Sequence, residues 1–289
     1  MTAVVEPVGD TAIAVRAEGL GKRYRDNWAL RECSFELPAG RVAALVGANG
    51  AGKTTLMSVL VGLLQADEGR ADAEGRVAFV SQDKPVYRNF SPAEVLDLGA
   101  RLNVVWDRQR ALRWLDRFEI PLKRACGKLS GGQQAQVAFA LALGSRPAVL
   151  MLDEPLANLD PLARREVAAQ LLTEVADTGM TVLLSTHVVT ELAGVADHLL
   201  LLAHGRLLAG GDLDALLERH VHYTGPTSAQ APVPGEVLEA KHVGGQSSFL
   251  VALPDGAKPA TPDQWVARDV TLEDYVLTQL AATRKGPIA

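Results

Sequence analysis

The sequence predicts an α/β fold built on a parallel sheet, and three observations predict it. Short, continuous apolar runs at Val42–Val46, Val77–Val80, Val149–Leu152 and Thr181–Leu184 suit strands buried on both faces. Stretches of helical period separate these runs, and strands alternating with helices argue for parallel pairing. The first run leads through a glycine-rich loop, Gly47-Ala48-Asn49-Gly50-Ala51-Gly52-Lys53-Thr54, directly into a helix.

Each element has a local reason. Ile13-Ala14-Val15-Arg16-Ala17 alternates and reads as a half-buried strand. A helix is expected over Lys53–Leu64, after the loop, and the run Val77–Val80 ends at Ser81-Gln82. From Ser91 to about Ala125 the pattern is helical: Ser91 and Glu94 have capping-box spacing, and Val95, Leu98 and Leu102 recur at helical intervals. Val149–Leu152 ends in Asp153-Glu154, and Pro155 stops the chain there. Near Thr224 the texture changes, and Gly225-Pro226-Thr227-Ser228 through Pro232-Val233-Pro234 is rich in turn formers. Beyond it come two strand-like runs, Val237–Lys241 and Ser247–Leu253. A helix opened by Thr271 follows, with Leu272, Val276 and Leu280 on one face. At about 55 residues this last piece is marginal for folding alone, so it is expected to pack on the rest.

The 289 residues, 48% of them hydrophobic, suffice for a large buried core. A net charge of −5 gives no sign of a nucleic-acid-binding face, and no nucleic-acid partner is expected. Cys33 and Cys126 are too few for a disulfide framework and read as reduced thiols. The first residues carry Glu6 and Asp10 rather than a basic stretch before an apolar one, so no signal peptide is read. No segment reaches the roughly 18 apolar residues of a membrane span. If the protein works at a membrane, another chain supplies the span. His220 and His222 form a His-x-His pair without further ligands nearby and read as structural.

Phosphate needs convergent donors and little steric bulk. Gly47, Gly50 and Gly52 let backbone N–H groups turn inward, and the following helix N-terminus favours anions. Lys53 is placed to reach the β- and γ-phosphates and Thr54 to hold Mg²⁺ through its hydroxyl; Asn49 and Thr55 complete the nucleotide-binding set. Asp153 and Glu154 emerge at the C-terminal end of an apolar strand, where open α/β sheets bind ligands. There Asp153 serves as a metal ligand and Glu154 as the general base for the attacking water. The Asn-Lys-x-Asp guanine reader is absent. A third motif, Leu129-Ser130-Gly131-Gly132-Gln133, lies between the two, where Ser130 and its glycines open another helix and so another anion site.

With that third motif the chain, over roughly residues 13–215, resembles the nucleotide-binding subunit of ATP-binding cassette (ABC) transporters. The resemblance implies a P-loop NTPase core, an N-terminal antiparallel β part and a helical signature subdomain, with the small C-terminal α+β appendage beside them. It implies an ATPase with ATP and Mg²⁺ as cofactors. Ser130, Gly131, Gly132 and Gln133 then cap the nucleotide of a partner protomer, so that ATP joins a homo- or heterodimer and hydrolysis releases it. Tyr24 is similarly placed to a residue that stacks on adenine. Gln82 is placed to sense the metal and the membrane partner, and His187, after Ser185-Thr186, to contact the γ-phosphate. Ala157-Asn158-Leu159-Asp160 resembles a loop that crosses the dimer interface. Glu154, His187, Gln82 and Lys53 are thus the catalytic set, and Thr54, Gln82 and Asp153 the metal set. Gln134 and Gln136 depart from the basic residues common after this signature, which puts the usual polar contacts of its helix in doubt.

The expected domains are an ATPase domain over 1–224 with its helical subdomain at about 83–140, a linker at 225–234 and the appendage at 235–289. The implied partner is a separate integral-membrane permease received at Asp83 to about Asn103, which makes the protein cytoplasmic and peripheral on the inner face of the membrane. Thr271–Leu277 resembles a helix of exporter subunits and tilts the reading to export. Two alternatives stay open, a non-transport mechanical or assembly ATPase and a regulatory cassette. The 46 residues between Gln82 and Leu129 leave no room for the long coiled coils of chromosome ATPases.

Overall fold

The computed structural model describes residues 4–5, 12–83, 86–157, 159–192, 194–254, 256–257 and 259–284. The chain begins with β1 (Val4–Val5), β2 (Ile13–Tyr24), β3 (Asn27–Pro38), β4 (Val42–Val46), α1 (Lys53–Leu60), β5 (Glu68–Ala73) and β6 (Val77–Val80). Three helices follow, α2 (Pro92–Leu102), α3 (Arg108–Arg117) and α4 (Gly131–Gly144). The core then closes with β7 (Val149–Leu152), α5 (Pro161–Thr178), β8 (Thr181–Thr186), β9 (His198–Ala203), β10 (Arg206–Asp212) and α6 (Leu213–Glu218). The C-terminal part holds β11 (His220–Pro226), β12 (Glu236–Val243), β13 (Gln246–Ala252), β14 (Val266–Asp269) and α7 (Leu272–Arg284).

The central sheet runs β1-β10-β9-β4-β8-β7-β6, parallel from β9 to β6 with β10 antiparallel at one side. Its strands alternate between two cores. Val42, Ala44, Val46, Leu150, Leu152, Val182 and Leu184 face one core, with α2–α5. Ala43, Leu45, Val149, Met151 and Leu183 face the other, with α1 and the antiparallel sheet β3-β2-β5. The continuous apolar runs follow from this double burial. The exception is Val77–Val80: among the described residues β6 is the edge strand and pairs with β7 alone, and of its four residues Val80 is the buried one.

Several expected elements differ in extent. α1 stops at Leu60, four residues before the expected end, because Gly62 at φ +75° turns the chain and Leu63 and Leu64 bond back to Ser58. The stretch from Ser91 breaks into α2 and α3. Ser91 and Glu94 form the capping box, while Asn103 ends α2 in extended geometry and Asp107 caps α3. Val95 and Leu96 are buried, whereas Leu102 is 73% exposed in the last turn. Lys84, Pro85 and Asn158 of the expected partner and interface segments lie outside the described residues.

The break in architecture falls before the turn-rich segment. β11, over 220–226, pairs antiparallel with both β13 and β14 and so lies inside a four-stranded sheet β12-β13-β11-β14. Residues 227–235 connect β11 to β12. The C-terminal part does pack on the rest: Tyr275, Val276 and Leu250 belong to the larger core, with Leu272 and Leu280 against it. Among the described residues no helix is long and apolar enough to cross a membrane.

Candidate active site

The loop after β4 is shaped by what surrounds it. A Cβ on Gly47 would stand 2.3 Å from the Leu202 carbonyl oxygen, so only glycine fits. Gly52 has φ +109° and the Ala29 carbonyl oxygen within 2.5 Å of where its Cβ would be. Lys53, the first residue of α1, is buried, and its Nζ donates to Gly47 O at 2.8 Å and Ala48 O at 3.4 Å. The ammonium is therefore held inside the curve of the loop. Asn49 and Thr54 are exposed, and Thr55 is half-buried. Ala29 in β3 also ties the β2–β3 hairpin to the loop, and Tyr24 stands 48% exposed at the end of that hairpin.

The carboxylates arrive at the end of β7. Asp153 is buried, and its Oδ2 accepts from Thr54 Oγ1 at 2.7 Å while Oδ1 accepts from Ser185 Oγ at 2.5 Å. Thr54 and Asp153 thus present a hard oxygen pair of the kind that Mg²⁺ takes alongside phosphate and water.

Glu154 is the point of convergence. Its φ of +46° is a left-handed conformation that a side-chain-bearing residue holds only when its surroundings impose it. The amide is anchored by Ser185 Oγ at 2.9 Å. The carboxylate lies 3.5 Å from Lys53 Nζ, 3.1 Å from His187 Nδ1 and 3.4 Å from Gln82 Nε2. All four expected catalytic residues therefore meet at one carboxylate, beside a small cavity of about 110 Å³ lined by Glu154, Ser185 and His187. Ser185 is the residue that sequence reasoning passed over. It is wholly buried, and a serine closing an apolar strand offers no pattern that would mark it.

The signature residues lie elsewhere. Ser130 caps α4, accepting from Gln133 N at 3.2 Å, while Gln133 Oε1 accepts from Ser130 N at 3.1 Å. As an acceptor, the Ser130 hydroxyl keeps its own proton to give. Ser130, Gly131, Gly132 and Gln133 line a cleft of about 680 Å³ with Leu159 and Asp160, and no residue of the phosphate loop lines it. A Cβ on Gly131 would meet nothing within 4 Å, and no positive φ requires glycine there. The departures at 134 and 136 are resolved locally: Gln134 Nε2 donates to Leu129 O at 3.0 Å, and the buried Gln136 accepts from Trp114 Nε1 at 2.9 Å. The histidine pair is structural, His220 Nδ1 lying 2.6 Å from Leu216 O and His222 Nε2 lying 3.0 Å from Ser248 Oγ.

Known proteins resemble the chain in sequence and in fold. Residues 30–157 match the ABC transporter family. An aliphatic-sulfonate import ATP-binding protein of Xanthomonas axonopodis pv. citri is 35% identical over 68% of this chain and 70% of its own length. A daunorubicin-resistance ATP-binding protein of Streptomyces coeruleorubidus is 34% identical over 72% of this chain and 71% of its own. Among solved structures, cbiO1 from Clostridium perfringens, part of an ABC transporter complex, superposes with a TM-score of 0.62 at 27% identity, covering 71% of this chain and 90% of that one.

Proposed function

The chain belongs to the ABC transporter family as an ATP-binding subunit that hydrolyses ATP, and from that premise we propose that two such protomers close on ATP·Mg²⁺ to drive export through a separate membrane permease. The observation that carries the hydrolytic reading is the meeting of Lys53, His187 and Gln82 at the strained Glu154.

The residues divide the work by position. The N–H groups of the loop, with Gly47, Asn49, Gly50, Gly52, Lys53, Thr54 and Thr55, enclose the phosphates. Lys53 leaves Glu154 for the γ-phosphate, and Tyr24 takes the adenine ring on its exposed face. Thr54 and Asp153, with Gln82, would hold Mg²⁺, which would supply charge neutralisation for the phosphates. Glu154 accepts a proton from water as its oxygen attacks the γ-phosphorus. The bond to the bridging oxygen breaks, and ADP carries away the electron pair. His187 donates to the γ-phosphate oxygens. Ser130, Gly131, Gly132 and Gln133 supply N–H and O–H donors to the partner's nucleotide. Their separation from their own loop, and a glycine at 131 with no need inside its own chain, support a lid given in trans.

Asp83 to about Asn103 receives the permease, which holds the subunit on the cytoplasmic face of the membrane. The resemblance of Thr271–Leu277 to exporter subunits supports export, while the relatives include a daunorubicin-resistance protein and several named for import of sulfonates, sulfate or Fe(3+) ions. The relative named for sulfonate import makes direction the point to test, by following labelled cargo in inside-out vesicles that hold the subunit and its permease. For hydrolysis, Glu154→Gln is expected to bind ATP and dimerise while turnover falls by about a hundredfold or more, by loss of its general base. Parent-like turnover in that variant removes Glu154 from the mechanism.

A further inference from the structure

The turn that follows His187 cannot hold itself. Val189–Leu192 is a single 3-10 turn of four residues, too short to persist without tertiary support. On its upstream side the Thr186 hydroxyl accepts from Val188 N at 2.9 Å and fixes the chain where β8 ends. On its downstream side the support is apolar: Leu192 is fully buried, and Val189 packs against the same cluster.

That support is completed by the last helix of the chain. α7 packs on this turn and on β9, and it places Tyr275 and Val276 in the cluster that holds Leu192. α7 is itself aligned from behind. Thr271 caps it, accepting from Asp274 N at 3.1 Å and donating to Asp274 Oδ2 at 2.7 Å. The Tyr275 ring meets the His220 ring edge-on at 4.8 Å, and His220 is tied to the Leu216 carbonyl. The C-terminal sheet thus holds α7 through the Tyr275–His220 contact, and α7 in turn lies against the turn that follows His187. The His187 side chain is 40% exposed, so its backbone largely decides where the ring stands beside Glu154.

We propose that Tyr275 is a positioning residue for ATP hydrolysis: by bracing Val189–Leu192 it sets where His187 stands beside Glu154, which makes the C-terminal segment a working part of the ATPase. The proposal rests on the reading of His187 as a hydrolytic residue. A cover with no such role would affect stability alone.

The test is steady-state and single-turnover hydrolysis by the full chain. Tyr275→Ala is expected to lower kcat about tenfold, in line with the cost of a small misplacement of a reacting group. KM should stay within about twofold, because most of the proposed nucleotide contacts come from the phosphate loop and Tyr24 rather than from this turn. Leu277→Ala, on the exposed side of α7, serves as the neutral control. Val189→Ala loosens the packing of the turn itself and reproduces the kcat loss, which carries the test if Tyr275→Ala does not fold. In a His187→Ala background Tyr275→Ala adds no further loss, because the two act through one group. Parent-like kcat in both Tyr275→Ala and Val189→Ala overturns the proposal, as does an undiminished effect of Tyr275→Ala without His187. Parent-like turnover by His187→Ala alone instead overturns the reading of His187, and the proposal with it.

Discussion

At the scale of single residues, one hydroxyl organises both carboxylates. Ser185 donates to Asp153 Oδ1 and accepts from the Glu154 amide, and it is wholly buried while doing so. Glu154 sits at φ +46°, a conformation that costs about 1–3 kcal/mol and needs an anchor to persist. Ser185→Ala leaves a buried N–H and a carboxylate oxygen each short of a partner, at roughly 1–3 kcal/mol apiece. The expected outcome is a lowered Tm and a drop in kcat larger than any change in KM, measured by thermal unfolding and ATPase assay. A variant with parent Tm and turnover shows that the two contacts are idle. The contrast with Lys53, Thr54, Asp153 and Glu154 explains what was legible. Those four sit in motifs whose spacing fixes backbone and chemistry together, so their convergence could be expected from the sequence. His187 was placed only through family resemblance, and Ser185 not at all, because its partners are 31 and 32 residues away along the chain.

At the scale of elements, the helical part is tied to the core by a pair that sequence cannot reveal. Arg110 of α3 meets Glu174 of α5 at 2.6 Å, with side-chain exposures of 6% and 14%. Arg110→Ala strands a mostly buried carboxylate, and loss of one partner of such a pair costs about 3–5 kcal/mol. The double replacement Arg110→Met with Glu174→Leu should recover most of that in denaturant unfolding, since no unpaired charge remains. Equal stability of parent and Arg110→Ala would mean that the pair is structurally neutral. The same locality limit governs the elements themselves. Doubly buried strands announced themselves as apolar runs, and Ser91 announced α2 by its cap. β11 did not, because His220-Val221-His222-Tyr223 carries no continuous apolar run and its strand character depends on pairing with β13 and β14. Gln136, which read as a missing cation, is the acceptor for a buried tryptophan on another helix, 22 residues earlier in the chain.

At the scale of the molecule, the sheet that carries the site also carries its acid sensitivity. His198 opens β9 and pairs with Ala43 on one side and Asp212 on the other. Burial pushes its pKa down to about 4, against the pull of Asp212 and with the push of Arg41. The folded protein thus keeps His198 neutral where the unfolded chain would protonate it at about 6.5. Its contribution is full above that value and is lost as pH falls towards 4, amounting to about 2 kcal/mol by pH 5 and about 3 kcal/mol in the limit. Asp197 works the other way: burial raises its pKa above the usual carboxylate value, so protonation near the acid end returns part of the loss. The loss should reach the nucleotide site, because β9 runs directly to Leu202, whose carbonyl forms the wall behind Gly47. Unfolding in urea at pH 7.5 and pH 5 is therefore expected to show a fall in stability that His198→Leu reduces, the buried His220, whose pKa burial also lowers, carrying part of the remainder. ATP-dependent protection against unfolding should decline over the same interval. An unchanged pH slope in His198→Leu would move the acid sensitivity to another buried group and free β9 of it.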